Sequence, residues 1–292
     1  MDTQTQVHYR TVAVNGLDLF YREAGPAEAP VLLLLHGFPT SSHMFRDLMP
    51  LLADRYRVVA PDLPGFGFTT SPPATAFAYT FDHLADVIGG FTQALGLARY
   101  ALYIFDYGAP VGLRLAVAHP ERVTALITQN GNAYEEGLSS GWDPARTYWQ
   151  DPTPENRAAM RQMLTWDTTQ LQYRHGTPDP TQLAPEAPAL DFWGLSRPGY
   201  DEMQLDLIRD YQSNVALYPR FQDYFRTHRP PTLAVWGEND PFFLPAGAHA
   251  YRRDNPAAQV QLLPTGHFAL ETHVVEIAGL IRAFLASVPA SA

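Results

Sequence analysis

The sequence contains no cysteine. That excludes disulfides, a thiolate nucleophile and any Cys-ligated metal site. Positive charge is scarce as well: 20 Lys and Arg stand against 30 Asp and Glu, a formal net charge of −10. A chain of that sign lacks the electrostatic footprint for nucleic acid or an anionic membrane. Long apolar runs are missing too. Val31 to Leu35, the longest near the N-terminus, is far too short to span a bilayer, and Met1 to Arg10 lacks the apolar core of a signal peptide. No metal-ligand spacing of the His-Glu-x-x-His kind occurs; His36, His43, His119 and His273 are scattered. We therefore expect a cytoplasmic protein with no metal and no cofactor, and with neither nucleic acid nor membrane as partner. Its oligomeric state is not legible.

What is present is an alternation of strands and helices. The 292 residues suffice for one large α/β domain with an insertion. Residues 10–14 and 17–22 alternate around Asn15 and Gly16, a hairpin turn. Strands are expected at Val31 to Leu35, Tyr56 to Ala60, residues 100–105 and Val123 to Thr128, with helices over about 43–53, from Thr80 to Leu95 and over 109–118. Residues 133–218 are rich in Trp, Tyr and Pro and hold no convincing buried strand. Within them Thr153 caps a helix that starts at Pro154, and Leu205, Ile208 and Tyr211 give a helical spacing over 199–217. The alternation resumes with a strand from Thr232 to Trp236, a helix over 245–252, a strand from Val260 to Leu263 and a helix over 270–285. This order implies a mostly parallel, twisted sheet with helices on both faces. The core occupies 1–132 and 219–292, and a helical cap, 133–218, is inserted after the sixth strand.

Asp106 stands between the strand at 100–105 and the helix at 109–118, with small Gly108 and Ala109 behind it. A sharp strand-to-helix turn is the setting of a nucleophile elbow, and the helix N-terminus favours an ionised carboxylate there. Asp is also among the best helix N-caps, so this stretch alone leaves both readings open. The other strand ends decide between them. In a parallel sheet, ligands bind beyond the carboxyl ends of the strands. Asp240 follows the strand that ends at Trp236, and His267 follows the strand that ends at Leu263. The chain order is nucleophile, acid, base, each just past a strand. Asn130 marks another strand end where an acid could sit, but an amide carries no charge to stabilise an imidazolium. Gly137 to Gly141 matches G-x-S-x-G around Ser139, but no apolar strand precedes it.

With these flanks the chain resembles the α/β-hydrolase superfamily, and more narrowly its capped branch with an aspartate nucleophile, the epoxide hydrolases and haloalkane dehalogenases. The resemblance is carried by His36-Gly-Phe-Pro39, Asp62-Leu-Pro-Gly-Phe-Gly67, Asp106-Tyr-Gly108, Trp236-Gly-Glu-Asn-Asp240 and Gly266-His-Phe268. It implies the α/β-hydrolase fold and an oxyanion hole formed by the backbone N–H groups of Phe38 and Tyr107. A carboxylate suits displacement at an sp³ carbon. Attack opens an epoxide or expels a halide and leaves an alkyl ester on Asp106, which water activated by His267 then hydrolyses. The substrate expected is a small apolar organic molecule, with water as co-substrate.

The leaving group separates the two chemistries. Tyr107 stands where dehalogenases of this branch usually have Trp, and Phe38 brings no side-chain halide donor. Tyr211 resembles the second catalytic tyrosine of epoxide hydrolases. Ala145 holds the place of the first, with Tyr148 one turn later, and Trp149 with Tyr211 offers a halide site like that of fluoroacetate dehalogenases. Such enzymes also keep an Arg beside the nucleophile; Tyr107 and Pro110 stand there instead, against a carboxylate substrate. Cap aromatics also serve as plain packing. The leading expectation is an epoxide hydrolase, the alternative a dehalogenase, and a third a non-catalytic small-ligand binding protein on the same fold.

Overall fold

An apolar side chain at every position of 100–105 demands burial on both faces of a strand. The computed structural model, which describes residues 5–289, provides it with an eight-stranded sheet. Residues 1–4 and 290–292 lie outside the described residues, and with them the ends of the expected core segments 1–132 and 219–292 and the start of the stretch read for a signal peptide. The strands are β1 (His8–Val14), β2 (Leu17–Ala24), β3 (Val31–Leu35), β4 (Arg57–Pro61), β5 (Tyr100–Phe105), β6 (Val123–Gln129), β7 (Thr232–Gly237) and β8 (Gln259–Leu263). Their order is β1-β2-β4-β3-β5-β6-β7-β8; β1, β2 and β4 pair antiparallel and all later pairs are parallel.

Side chains along β5 alternate between two cores. Leu102 and Ile104 enter one apolar cluster, Tyr103 and Phe105 the other. That period of two on a doubly buried strand fixes helices on both sides of the sheet. The helices are α1 (Leu48–Leu52), α2 (Phe81–Ala94), α3 (Gly108–Ala118), α4 (Asp143–Gln150), α5 (Pro154–Met160), α6 (Trp166–Arg174), α7 (Glu186–Leu195), α8 (Tyr200–His228), α9 (Pro245–Asp254) and α10 (Leu270–Ser287). Side chains of α1 and α10 fill the Tyr103 side; those of α2, α3 and α9 fill the Ile104 side. Five α-helices, α4 to α8, connect β6 to its parallel neighbour β7.

Two expectations differ from the structure. The helix expected over 43–53 is a single 3-10 turn, Ser42–Phe45, followed by α1. Pro50 is the reason: in a continuous helix its ring would meet the carbonyl of Arg46. Helix α8 does not stop at 217 but runs to His228, across position 218 and through Pro219, because Phe221, Tyr224 and Phe225 beyond it are buried. No helix among the described residues is long and apolar enough to cross a membrane.

Candidate active site

The site begins with a strained backbone. Asp106, just past β5, has φ +46°, in the left-handed region that side chains other than Gly seldom adopt. The turn closes because two neighbours lack a side chain. A Cβ on Gly37 would lie 2.3 Å from Asp106 Oδ1, and one on Gly108 would lie 2.3 Å from the carbonyl oxygen of Leu35. Helix α3 then starts at Gly108 with Tyr107 as its cap residue and no side-chain cap bond. Asp106 is thus not a capping side chain. Its Oδ1 instead accepts the backbone N–H of Phe38 at 2.5 Å, and the backbone N–H of Tyr107 also interacts with the carboxylate. These are the two groups expected to form the oxyanion hole. His36 serves this loop rather than the chemistry. Its Nδ1–H donates to the carbonyl of Gly37 and its Nε2 accepts from Leu63, and burial keeps its pKa below the usual value.

β7 and β8 bring up the other two residues. His267 Nδ1 donates to Asp240 Oδ2 at 2.7 Å, both groups being buried. Asp240 is held from every side: Oδ1 accepts the backbone N–H groups of Phe242 and Phe243, and Oδ2 also accepts Asn130 Nδ2 at 2.7 Å. The imidazole packs against Phe105 at 4.6 Å between ring centres. With Nδ1 committed, Nε2 is left for the cavity that His267 lines together with Asp106.

Electrostatics follow from burial. Burial pushes the Asp106 carboxyl up to about 6, against the lowering by His267 and by the Phe38 and Tyr107 N–H groups. The helix N-terminus therefore does not hold it in the ordinary carboxylate range, as the sequence suggested. For His267, burial lowers the pKa, but the Asp240 charge, its hydrogen bond and the Asp106 charge together outweigh burial and hold it above the usual value. Among the described residues no cluster of three or more His, Asp or Glu is arranged to hold a metal.

The cavity above Asp106 and His267 is small, about 50 Å³. Its walls are mostly apolar, with Trp142, Ala145, Met160, Met163, Ile208 and Phe242 among them. Tyr107 is also among the lining residues, and burial, with the Asp106 charge, pushes its hydroxyl pKa well up.

The residues expected to face the leaving group are not brought to this cavity. The Tyr148 hydroxyl accepts from Arg157 at 2.9 Å inside the small core of the insertion. Trp149 donates its indole N–H to the carbonyl of Ile208 at 2.7 Å. Tyr211 does not line the cavity either: it is buried against Tyr107 and Trp142, with ring centres 5.8 and 4.3 Å away, and its hydroxyl interacts with that of Tyr218 and feels the Asp106 charge. In each case a polar atom that the leaving group would need is satisfied by the protein itself. Ser139 is likewise structural: its Oγ donates to the carbonyl of Pro241 and accepts from Gly141.

Asn130 has a larger part than its sequence position suggested. It too sits at φ +46°, donates to Asp240 and accepts the N–H of Gly237 through Oδ1 at 2.9 Å. Asp240→Asn should cost about 10³-fold or more in kcat, because the imidazolium loses its charge partner. Asn130→Ala should cost about tenfold, since Phe242 and Phe243 still hold the carboxylate. Steady-state kinetics on both variants check the order; equal losses would show that orientation, not charge, is what Asp240 provides.

Comparison with known proteins places this geometry. Residues 30–274 match the alpha/beta hydrolase fold family. The chain is 47% identical over 269 residues to an uncharacterized hydrolase of Saccharomyces cerevisiae, covering 90% of this chain and 92% of that one. A haloalkane dehalogenase from Agrobacterium tumefaciens C58 superposes with a TM-score of 0.80 at 25% identity over 97% of both chains. An epoxide hydrolase from Vigna radiata superposes with a TM-score of 0.74 at 24% identity, over 96% of this chain and 98% of that one, a likeness of fold. An aspartate on a strained strand-to-helix turn at the end of β5, a hydrogen-bonded His–Asp pair after β8 and β7, and a match over most of the length lead to one conclusion: the chain belongs to the α/β-hydrolase fold family.

Proposed function

We propose that this hydrolase opens small apolar 1,2-epoxides to diols through an alkyl ester on Asp106. The carrying observation is a carboxylate, not a hydroxyl, at the elbow, hydrogen-bonded to the Phe38 N–H beside His267 in a small apolar cavity. Carboxylate attack on an amide or ester would give an anhydride, whereas attack on an sp³ carbon gives a stable ester that water can cleave. In the first step an Asp106 oxygen bonds to a ring carbon, and the ring C–O bond breaks with its electron pair going to oxygen. That oxygen takes a proton from the hydroxyl of Tyr107, one of the residues that line the cavity. In the second step His267 takes a proton from water, the hydroxide attacks the ester carbonyl, and the Phe38 and Tyr107 N–H groups stabilise the oxyanion. As the carbonyl re-forms, the ester's acyl C–O bond breaks, His267 gives its proton to the departing alkoxide, and the second water proton, left on the Asp106 carboxyl, passes to Tyr107, so that carboxylate, imidazole and phenol are restored.

The indoles argue against a halide. Trp149 donates to Ile208 and Trp142 to Phe242, so neither offers an N–H to a departing anion. The test is a panel of 1,2-epoxides, from propylene oxide to styrene oxide, beside 1-haloalkanes, with product analysis. Diol from the short epoxides is expected, with the larger ones slower in so small a cavity. Alcohol and halide from the haloalkanes, with every epoxide left intact, would overturn the reading.

A further inference from the structure

Asp106 comes from the core, and the group that meets the atom it displaces must come from elsewhere in the cavity wall. Helix α6 provides one candidate. Gln172 is 2% exposed, lines the cavity with Asp106 and His267, and its Nε2 has no hydrogen-bond partner. Other buried side chains among the described residues also hold an unpartnered polar atom, but none of those lines this cavity. Leaving a buried amide unsatisfied is a cost to the fold. Ala145, Met160, Met163 and Ile208, which share the cavity wall with it, carry only carbon and sulfur side-chain atoms. Such a group is poised for a ligand that brings its own acceptor.

We propose that Gln172 donates a hydrogen bond from Nε2 to the leaving oxygen of the substrate, alongside the Tyr107 hydroxyl. This rests on the alkyl-ester reading above. Backside displacement puts the leaving atom on the side of the carbon away from Asp106, and Gln172, on an inserted helix in the wall of that cavity, is a donor from outside the core strand ends. The amide gives no proton. As the ring C–O bond breaks it holds the oxygen while negative charge develops, and the proton comes from Tyr107.

The experiment compares wild type with Gln172→Met and Gln172→Leu on a short 1,2-epoxide. Each variant is expected to lose about 10²-fold in kcat/KM, the scale for removing one preorganised donor to developing charge. Both should melt at or above the wild-type temperature, since each replaces an unsatisfied amide by an apolar group. Rapid quench then separates the steps: ester formation slows by the same factor, while breakdown of a preformed ester keeps its rate. A merely structural Gln172 would slow both steps or neither. Unchanged kcat/KM in both variants, or a loss confined to ester breakdown, would overturn the proposal. If wild type leaves epoxides intact but alkylates Asp106 with another electrophile, the epoxide reading fails. The two variants' alkylation rates with that electrophile then decide the donor role on their own.

Discussion

Asp106→Asn should turn over no substrate at pH 7 and yet melt several degrees above wild type. The carboxyl titrates near 3.8 in an unfolded chain, whereas burial raises it to about 6 in the folded one despite His267 and the Phe38 and Tyr107 N–H groups. The folded state therefore binds this proton more tightly than the unfolded state. The stability that comes with it is complete below about pH 4 and is lost as pH rises through 6. At pH 7 the ionised group costs about 3 kcal/mol. Asn keeps the shape, carries no charge and tolerates a left-handed φ well. For a chain of this size the gain corresponds to roughly 5–10 °C. Calorimetry of both proteins at pH 7 and pH 4 checks it. The gap should be wide at the first and close at the second, and equal melting at pH 7 would refute the idea. The same carboxyl sets an acid limb on activity, with kcat/KM falling below about pH 6.

Much of this was legible because chemistry and pattern coincide at strand ends. Asp106 and Asp240 follow buried, largely apolar strands, and His267 follows β8, where Val260, Leu262 and Leu263 still mark a strand although Gln259 and Gln261 are exposed. The inserted helices were harder to read. Tyr148, Trp149 and Tyr211 carry polar tips on large apolar bodies, and sequence does not say whether the tip meets a ligand, Arg157, Ile208 or Tyr218. Gln172 carries no motif at all; only its burial without a partner marks it. Asn130 looked like a neutral substitute for an acid, whereas its left-handed backbone and two-sided amide make it a brace for Asp240 and Gly237. Pro50 breaks a helix that apolar spacing suggested, and Pro219 fails to end one because Phe221 and Phe225 bury the turn beyond it.

His267→Gln should still open the epoxide once per active site and then stop. Asp106 is largely ionised at pH 7, so it needs no base before it attacks. The imidazole is needed only in the second step, to take a proton from the water that cleaves the ester. The charges are arranged for that order. In the resting site the Asp106 carboxylate helps hold the His267 proton. Forming the ester removes that charge, so the imidazole gives up its proton more readily at the moment a neutral base is required. Gln keeps a polar side chain toward Asp240 but offers no base. Intact-protein mass spectrometry of the variant, mixed with an epoxide that wild type consumes, should show one adduct equal to the whole substrate mass. Peptide mapping should place it on Asp106. A serine-type mechanism gives the opposite pattern, because a hydroxyl needs the base before it attacks and the same substitution would block the first step. A variant with neither burst nor adduct would remove the alkyl ester from the mechanism, and an adduct lighter than the substrate by hydrogen halide would identify a dehalogenase instead.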